Sequence, residues 1–554
     1  MIDNQRLSKL LFKELKFTPQ EIEDKYPQRS LKEGARVTRF APSPTGFLHI
    51  GGLFAAMIAK FTADATDGVF YLRIEDTDKK REIDDGVSEI VDGLNSFGIT
   101  ASEGVLGFER EKGDYGPYEQ SKRCDLYHCF ANELVKQGLA YPCFCTADEL
   151  SKLRDEQENQ GVNKGYYGEF AKCAQLSIEQ IEQNINQGKP YVLRLRSQGQ
   201  EDKKIVFDDI IKGKIEMPEN IQDIVLLKTN GVPTYHFAHA VDDHLMRTTH
   251  IVRGDEWISS VPIHIQLFKY CGFKVPKYAH IAPIMKEEDG GKRKLSKRKD
   301  PEAAVSYYVQ QGFPKQSVIE YLLTLANSNF EEWRKANPNA QQSSFPFNLK
   351  KMSVSGALFD LAKLSDVSKN VISLMSADEV LNGTMQWAQK YDTDFYELLN
   401  SDMEFAKNIL SIDRGTKKPR KDIAKYSEVK DYTRYFYDEI YTPSYTLPEN
   451  ISPKDAALIL EKYMEVYDPS DDKNQWFARL KDICQPLGYT PNVKEYKKNP
   501  SDFKGHVGDV STVIRIAITS RVNTPDLHAI MSLLGKEKVM SRLKLAKDVF
   551  EEEF

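Results

Sequence analysis

The segment 35–66 places a short strand pattern directly before a loop of helix breakers and a long apolar helix pattern. The strand pattern is ARVTRF and the loop is APSPTG. The helix pattern that follows, LHIGGLFAAMIAKFTADAT, has apolar residues at helical spacing, namely Leu53, Met57, Ile58 and Phe61. A second strand pattern, GVFYLRIED, and a helix-like stretch over 83–97 come next. Strand, helix and strand in this order predict the opening of a parallel α/β sheet.

The composition bounds the class of protein. A chain of 554 residues predicts three or four domains at roughly 150 residues each. The net charge of −6 means that a nucleic-acid surface would have to be a local basic face. The seven cysteines are odd in number and mostly in one segment, which indicates a reducing compartment and predicts a cytoplasmic protein. The chain has no run of about 18 apolar residues, and its charged N-terminus does not resemble a signal peptide, so no membrane association is expected.

Changes of pattern predict how the chain is organised. A helix-like extension covers 1–35, and one α/β domain is expected over 36–99 and 221–330. The segment 100–220 reads as an insertion, because the strand patterns IQDIVLLK and PTYHFAHAVDD resume over 221–243. A connecting segment (331–375) and a helical region (376–554) follow. Near the end of the helical region, Thr524 is predicted to be a helix N-cap, with Pro525 in the first turn.

The motif 39-RFAPSPTGFLHIGG-52 lies between the first strand and the first long helix. A tight turn explains Pro44 and Gly46 but leaves His49, just before the helix, without a role. A nucleotide cradle explains all three, because a flexible backbone can approach phosphates at a helix N-terminus. The dinucleotide-binding pattern GxGxxG is absent here.

Several motifs together resemble one family. APSPTGFLHIGG resembles the HIGH signature of class I aminoacyl-tRNA synthetases, and the RFAPSPTG lead-in with 73-RIEDTD-78 is similar to bacterial-type glutamyl-tRNA synthetases. The stretch 294-KLSKR-298 resembles the KMSKS signature, and 232–257, 353–364 and 506–521 are also similar. The resemblance implies an α/β fold with a Rossmann-like parallel-sheet catalytic domain. It also implies an inserted tRNA acceptor-binding domain over 100–220, a stem-contact segment over 331–375 and an all-α anticodon-binding region over 376–554.

The resemblance implies an activity as well, the ATP-dependent joining of L-glutamate to tRNA(Glu). Because the attacking carboxylate is already ionised near pH 7, no general base is needed, and catalysis should consist of positioning and charge neutralisation. With Mg²⁺ bound to ATP, the resemblance assigns catalysis to His49, Lys294 and Lys297. It assigns ATP binding to the same His49 and Lys297, together with Thr45, Gly51, Glu256, Leu295 and Ser296.

The resemblance also implies a glutamate pocket with two cations and one anion. Arg39 is expected to face the side-chain carboxylate and Arg253 the α-carboxylate. Glu75 would accept from the α-ammonium, with Ser43 nearby and a hydroxyl contact from Tyr235. His239 stands where better-known members often carry Asn, so that its hydrogen bond to the substrate would depend on pH.

The segment 143-CFC-145 and the later Cys173 resemble a zinc knuckle of some glutamyl enzymes. Zinc takes about four ligands. Gln175 occupies the place where a His would serve as the fourth, leaving Tyr166 or Tyr167. The residues fit either a zinc site with ligands Cys143, Cys145 and Cys173 or three buried thiols.

Partners and alternatives follow from the same resemblance. The basic stretch 417-KKPRK-421 could meet tRNA phosphates with bases stacked on nearby tyrosines, or could be a solvated linker; the tyrosines are Tyr426, Tyr432, Tyr435 and Tyr437. A monomer is expected. One alternative is a non-discriminating enzyme that also charges tRNA(Gln). A shorter paralogue that modifies a tRNA base is disfavoured by the long helical region, and a non-catalytic tRNA-binding descendant is disfavoured by the intact motifs.

Overall fold

The computed structural model describes residues 3–78, 83, 85–288, 290–296 and 298–552. The chain divides into two compact units. The first consists of Met1–Tyr308 and Val318–Asp360, and the second of Val309–Ser317 and Leu361–Phe554. The predicted catalytic residue Lys297 lies outside the described residues.

The described strands lie almost entirely in the first unit. In chain order they are β1 (Val37–Phe40), β2 (Val69–Leu72), β3 (Glu103–Gly107), β4 (Arg110–Lys112), β5 (Ala140–Cys143), β6 (Val192–Leu195), β7 (Lys204–Asp209), β8 (Gly213–Pro218), β9 (Val225–Leu227), β10 (His250–Gly254), β11 (Lys277–Ile281), β12 (Met285–Glu288), β13 (Gly291–Lys294), β14 (Tyr489–Thr490) and β15 (Gly505–His506).

Twelve α-helices lie before residue 337 in the described part of the chain. They are α1 (Asn4–Leu11), α2 (Pro19–Lys25), α3 (Ile50–Asp64), α4 (Gly86–Ser96), α5 (Cys124–Lys136), α6 (Ala147–Asn159), α7 (Ile178–Asn186), α8 (Tyr235–Leu245), α9 (Val261–Tyr270), α10 (Val305–Gln311), α11 (Lys315–Ala326) and α12 (Phe330–Ala336). Both helices of the predicted N-terminal extension, α1 and α2, are present.

Two four-stranded sheets form the centre of the first unit. In the order β1-β2-β3-β4, the first three strands are parallel and the last is antiparallel. In the order β10-β11-β7-β8, the same arrangement recurs. The sheets adjoin at β1 and β10, because the Thr249 backbone N–H donates to the Val37 carbonyl oxygen at 3.0 Å. The α/β fold with a parallel-sheet core is therefore confirmed.

Helix α3 covers β1 and β2, as its apolar spacing predicts. Leu53, Met57 and Ile58 are fully buried, and each such side chain stabilises the fold by about 1.5–3 kcal/mol. His49 is the N-cap of α3, and its Nδ1 accepts the Gly51 N–H at 2.9 Å. The apolar face of α3 thus fixes the helix on the sheet, while the cap fixes the His49 ring at the helix start.

The strand predicted over PTYHFAHAVDD is wrong, because that segment forms α8. Phe237, Val241 and Leu245 recur at a spacing of four and are fully buried, and α8 packs against α9. The helical period of these side chains outweighs the strand propensity of the aromatic residues.

The segment 100–220 does not form one separate layer. Strands β5 and β6 pair with β9 in a small antiparallel sheet. Strands β7 and β8 instead join β11, where Asp209 is the register partner of Tyr278. The first unit also continues to Asp360, beyond the predicted boundary at 330.

The second unit is almost wholly helical. From residue 361 its helices are α13 (Leu361–Leu374), α14 (Ala377–Tyr391), α15 (Thr393–Ser401), α16 (Met403–Ser411), α17 (Val429–Thr433), α18 (Pro453–Val466), α19 (Lys473–Cys484), α20 (Val493–Lys498), α21 (Val507–Thr519), α22 (Leu527–Leu534) and α23 (Lys536–Glu552). Of the helices in the described ranges, none combines the length and the apolar character that a membrane crossing requires.

Two local predictions for the second unit are wrong. The N-cap of α22 is Asp526 and not Thr524, since the Asp526 side chain accepts the Ala529 N–H at 2.9 Å. Tyr435 and Tyr437 are buried in the core of this unit. Side chains packed in a core cannot stack on nucleic-acid bases, so these two do not form the predicted platform with 417–421.

Candidate active site

A cavity of about 500 Å³ opens where the two parallel sheets meet. It is lined by residues at or just beyond the carboxyl ends of β1, β2, β10 and β11. Ligands of open α/β sheets bind at such a position, in the crevice outside the carboxyl ends of the strands where the strand order reverses. The cavity brings together nine of the predicted residues, namely Arg39, Ser43, His49, Gly51, Glu75, Tyr235, Arg253, Glu256 and Lys294.

His49 reaches the cavity from the N-terminus of α3. Because its Nδ1 accepts the Gly51 N–H, the proton of the neutral ring is on Nε2. The N-terminal end of a helix carries partial positive charge. The imidazole and the helix end therefore both favour an anionic group at this wall of the cavity.

Arg39 belongs to a buried cluster of charges behind the cavity. Asp243 Oδ1 lies 3.1 Å from Arg39 Nε and 2.7 Å from Arg73 Nη1. Arg73 also pairs with Glu75, at 3.1 Å between Nη2 and Oε1. Although burial opposes ionisation, Arg39 and Arg73 hold the pKa of Asp243 well below its ordinary value. Burial raises the pKa of Glu75 above its ordinary value, although Arg73 and Arg39 act in the opposite direction.

Arg253, at 7% exposure, is buried without a carboxylate within salt-bridge distance among the described residues. Its Nε donates to His280 Nε2 at 3.0 Å, and its Nη1 lies 3.2 Å from His264 Nδ1. Nη1 also donates to the Tyr235 hydroxyl at 3.5 Å, and Nη2 donates to the Trp257 carbonyl oxygen at 3.3 Å. A buried cation held only by neutral acceptors is suited to an anionic ligand.

His239 does not line the cavity. It is fully buried behind Tyr235, with the two rings stacked at a centroid distance of 5.8 Å. Its Nδ1 lies 2.9 Å from Asp243 Oδ2. Burial, helped by Arg253 and Arg39 and opposed by Asp243, lowers the pKa of His239 to about 3, so the ring is neutral near pH 7.

Lys294 and Glu256 line the cavity from two different segments. Lys294 ends β13, and Glu256 lies in the 3₁₀ helix Asp255–Ser260. The segment after Lys294 is anchored by Asp300, whose carboxylate accepts two N–H groups of Arg293 and the backbone N–H of Ser296. The preceding Arg293 is thus a structural residue of the basic run.

The three other predicted ATP-binding residues that the structure describes lie outside the cavity lining. Leu295 is buried, and its N–H donates to the Ile284 carbonyl oxygen at 3.1 Å. Ser296 is held by Asp300. Thr45 is exposed in the loop before α3 and donates its N–H to the Ser43 carbonyl oxygen at 2.8 Å.

Three cysteine sulfurs form a separate cluster. The sulfurs of Cys143, Cys145 and Cys173 all lie within 4.8 Å of one another. The Tyr166 hydroxyl lies 3.3 Å from Cys145 Sγ and accepts the Cys173 N–H at 3.0 Å. Of the two tyrosines that sequence reasoning left open, Tyr166 is thus the one at the cluster.

Sequence reasoning missed the residues that support the cavity from behind. Arg73 and Asp243 lie in the family-like segments 73–78 and 232–257, but the resemblance assigned no role to them or to His264, His280 and Asp209. Trp257 was also missed, although its ring lies 4.4 Å from that of Tyr235, between centroids. A charged residue inside a strongly apolar strand or helix pattern, as in VFYLRIED, is a signal that could have indicated buried pairing.

Comparisons with known proteins show the family of the chain. The family model of the class I tRNA synthetases (E and Q), catalytic domain, matches residues 36–366. A model of an anticodon binding domain matches residues 494–547. The glutamate–tRNA ligase of Clostridium perfringens (strain SM101 / Type A) is 49% identical over 98% of this chain and 99% of its own. That of Acetivibrio thermocellus is 46% identical over 98% of this chain and 100% of its own.

Solved structures give the same result. A crystal structure of a glutamate tRNA ligase from Elizabethkingia meningosepticum, in complex with its amino acid, matches with a TM-score of 0.74 and 27% identity over 93% of this chain and 100% of that one. The chain belongs to the class I tRNA synthetases of the glutamate and glutamine type. Its full-length relatives narrow that family to the glutamate–tRNA ligases, which are enzymes that form aminoacyl-tRNA.

Proposed function

We propose that the enzyme joins L-glutamate to the terminal adenosine of tRNA(Glu) in two steps at this cavity. In the first step, the α-carboxylate of glutamate attacks the α-phosphorus of ATP, which releases pyrophosphate and leaves glutamyl-adenylate. In the second step, the 2′-hydroxyl of the tRNA takes the glutamyl group and AMP leaves. The observation that carries the proposal is one cavity in which Arg253, which has no carboxylate partner among the described residues, faces the same space as His49 and Lys294.

The glutamate half of the cavity would hold the substrate by opposite charges. Arg253 would bind the α-carboxylate, because its described partners are neutral. Arg39, whose hydrogen bonds to described residues use only Nε and Nη1, would turn Nη2 towards the side-chain carboxylate. Glu75 would accept from the ammonium, with hydroxyl contacts from Ser43 and Tyr235. Glutamine would be rejected, because a neutral amide does not satisfy a buried guanidinium.

The ATP half of the cavity would neutralise phosphate charge. His49 Nε2 and the α3 N-terminus near Gly51 would donate to phosphate oxygens. Lys294 and Lys297 would neutralise the charge that develops as pyrophosphate leaves, with Mg²⁺ bound to ATP. Glu256 would contact ATP from the opposite segment, while Thr45, Leu295 and Ser296 would act through the backbone of their loops.

Two assays test the proposal. Purified protein is incubated with L-glutamate, ATP and labelled pyrophosphate, with and without tRNA, and exchange of label into ATP is measured. Charging of purified tRNA(Glu) and tRNA(Gln) is then measured side by side. We expect charging of tRNA(Glu); no exchange and no charging under any condition would refute the proposal. Charging of both tRNAs at similar rates would favour the non-discriminating alternative.

We also propose that the cysteine cluster holds a zinc ion. The three sulfurs lie close enough to share one ion, and the Tyr166 oxygen is next to Cys145. Three sulfurs and one oxygen would make up the four ligands that zinc takes, with the tyrosine oxygen in the place where structural sites usually have Cys or His. Zinc bound there would stabilise the fold of this segment. Metal content by mass spectrometry should be near one zinc per chain and should be lost in Cys145→Ser, whereas Cys271→Ser should retain it. Equal zinc in both variants would exclude the site.

The state and location of the enzyme complete the proposal. We expect a monomer in the cytoplasm, since both substrates, glutamate and tRNA, are found there. Light scattering on purified protein should give a mass near 63.3 kDa. A mass of twice that value over a range of concentrations would contradict the monomer.

A further inference from the structure

Arg253 is held on two sides by imidazole rings from different elements. His280 lies in β11 and His264 in α9, and both rings are fully buried. Because an arginine side chain can only donate hydrogen bonds, His280 Nε2 and His264 Nδ1 must both be acceptors in these contacts. An acceptor nitrogen carries no proton, so the tautomer of each ring follows from its contact with Arg253.

Asp209 fixes the tautomer of His280. His280 Nδ1 lies 2.7 Å from Asp209 Oδ2 and donates to it, which leaves Nε2 free of a proton for Arg253. The Asp209 carboxylate also accepts backbone N–H groups, from Ile211 at 3.0 Å, from Lys212 at 2.9 Å and from His280 at 3.0 Å. The carboxylate is thus held rigidly at the end of β7.

His236 accepts the remaining proton of His264. His264 Nε2 lies 2.9 Å from His236 Nδ1. Since His264 Nδ1 accepts from Arg253, its Nε2 carries the proton and donates to His236. Two chains of hydrogen bonds therefore end at one guanidinium, and in each the group that contacts Arg253 is a neutral ring.

We infer that His280 and His264 are positioning residues that orient the Arg253 guanidinium towards the cavity without neutralising it, with Asp209 fixing the tautomer of His280 and His236 accepting the remaining proton of His264. This inference rests on the proposed function, in which Arg253 binds the α-carboxylate of glutamate. A charged residue beside Arg253 would orient it equally well but would compete with the substrate for its charge. Arg39, at the same cavity, differs from Arg253 in this respect, because it is held by the carboxylate of Asp243, which it shares with Arg73.

Three substitutions of His280 test whether the group that orients Arg253 must be a neutral acceptor. His280→Gln places an amide oxygen near the position of Nε2 and keeps a neutral acceptor. His280→Leu removes the acceptor, and His280→Glu replaces it with a carboxylate. Holding without charge predicts a mild effect for Gln and strong effects for both Leu and Glu, whereas a role in packing alone would order the three by shape.

The experiment measures the KM for glutamate and for ATP in tRNA charging by full-length protein. We expect His280→Leu and His280→Glu to raise the KM for glutamate by about tenfold or more. The Leu variant loses one hydrogen bond to a charged group, and the Glu variant neutralises the charge of Arg253. His280→Gln should stay within about threefold, and the KM for ATP should change by less than about twofold in all three. The inhibition constant of 4-aminobutanoate, which lacks the α-carboxylate, should be the same in wild type and His280→Leu.

The outcomes separate this inference from the proposed function. A wild-type protein that fails to charge tRNA with glutamate refutes the proposed function. A wild type that charges, with variants whose KM for glutamate is unchanged or whose affinity for 4-aminobutanoate falls equally, overturns the inference. If His280→Leu does not fold, His264→Leu and His264→Asn carry the same test, because the Asn oxygen occupies the place of Nδ1.

Discussion

Lys294 Nζ lies 3.6 Å from Glu256 Oε1, and the two side chains are 60% and 53% exposed. An ion pair this exposed contributes about 1 kcal/mol or less to stability. Both side chains nevertheless line the cavity, one from the hairpin β12–β13 and one from the 3₁₀ helix after β10. The pair therefore contributes little to folding. It marks the place in the cavity where a phosphate could displace Glu256 from Lys294.

Removing Lys294 should cost activity and not stability. For Lys294→Ala we expect glutamate-dependent pyrophosphate exchange to fall by about 10²-fold or more, the loss of one charge-assisted contact in the transition state. The midpoint of thermal unfolding should not change. Lys214→Ala, which removes an exposed lysine from β8, is the control. Equal activity of the two variants would show that Lys294 takes no part in activation.

Asp300 should matter for activity through the loop it anchors. Its buried carboxylate accepts from Arg293 at 2.6 and 2.8 Å, from Ser296 N at 2.8 Å and from Lys286 at 3.0 Å. Asp300→Asn loses the charge that holds this loop, and we expect the exchange rate to fall by about tenfold. Glu287→Gln removes an exposed carboxylate from the same hairpin and should leave the rate unchanged. A similar fall in both variants would indicate only a general effect of charge.

Local patterns predicted much of the fold and the position of His49 at a helix start. The elements β1, α3 and β2 follow from periodicity and from the breakers between them, and His49 is a helix cap whose place depends only on nearby residues. The contact between His280 and Asp209 joins positions 71 residues apart. It depends on the pairing of β7 with β11, which no local pattern specifies.

The pairing within the charged cluster behind the cavity also could not be predicted from local patterns, although a charged residue inside an apolar segment is a signal that it is buried and paired. Arg73 and Asp243 are fully buried, and their contact at 2.7 Å joins positions 170 residues apart. Sequence patterns therefore identify the residues that line a cavity more readily than the buried residues that hold those side chains in place.

Asp243 should be a large determinant of stability. Asp243→Asn leaves Arg39 and Arg73 buried without their shared carboxylate, which should lower the free energy of unfolding by about 3–5 kcal/mol. Urea denaturation measures this change. Asp67→Asn is a matched control, because the Lys32–Asp67 pair is 74% and 80% exposed and Asn tolerates the positive φ of 52° at this position. Equal destabilisation by both substitutions would contradict the buried-charge account.

Stability should fall as the pH drops below the ordinary pKa of histidine. Burial, followed by the charge of Arg253, lowers the pKa of His236 to about 4. Burial also lowers the pKa of His264 well below its ordinary value. Burial lowers the pKa of His239 to about 3; Asp243 opposes this shift, and Arg253 and Arg39 add to it. The unfolded chain therefore binds more protons than the folded chain at any pH between these values and about 6.5.

The sign and size of this dependence can be measured by urea denaturation at several pH values. Above about pH 6.5 these rings are neutral in both states and contribute no slope; below it, each lowers the free energy of unfolding by about 1.4 kcal/mol per pH unit until its folded pKa is reached. His239→Asn cannot titrate, so its slope between pH 6 and 5 should be smaller than that of wild type by about 1.4 kcal/mol per pH unit. Identical slopes would mean that His239 already binds its proton in the folded protein.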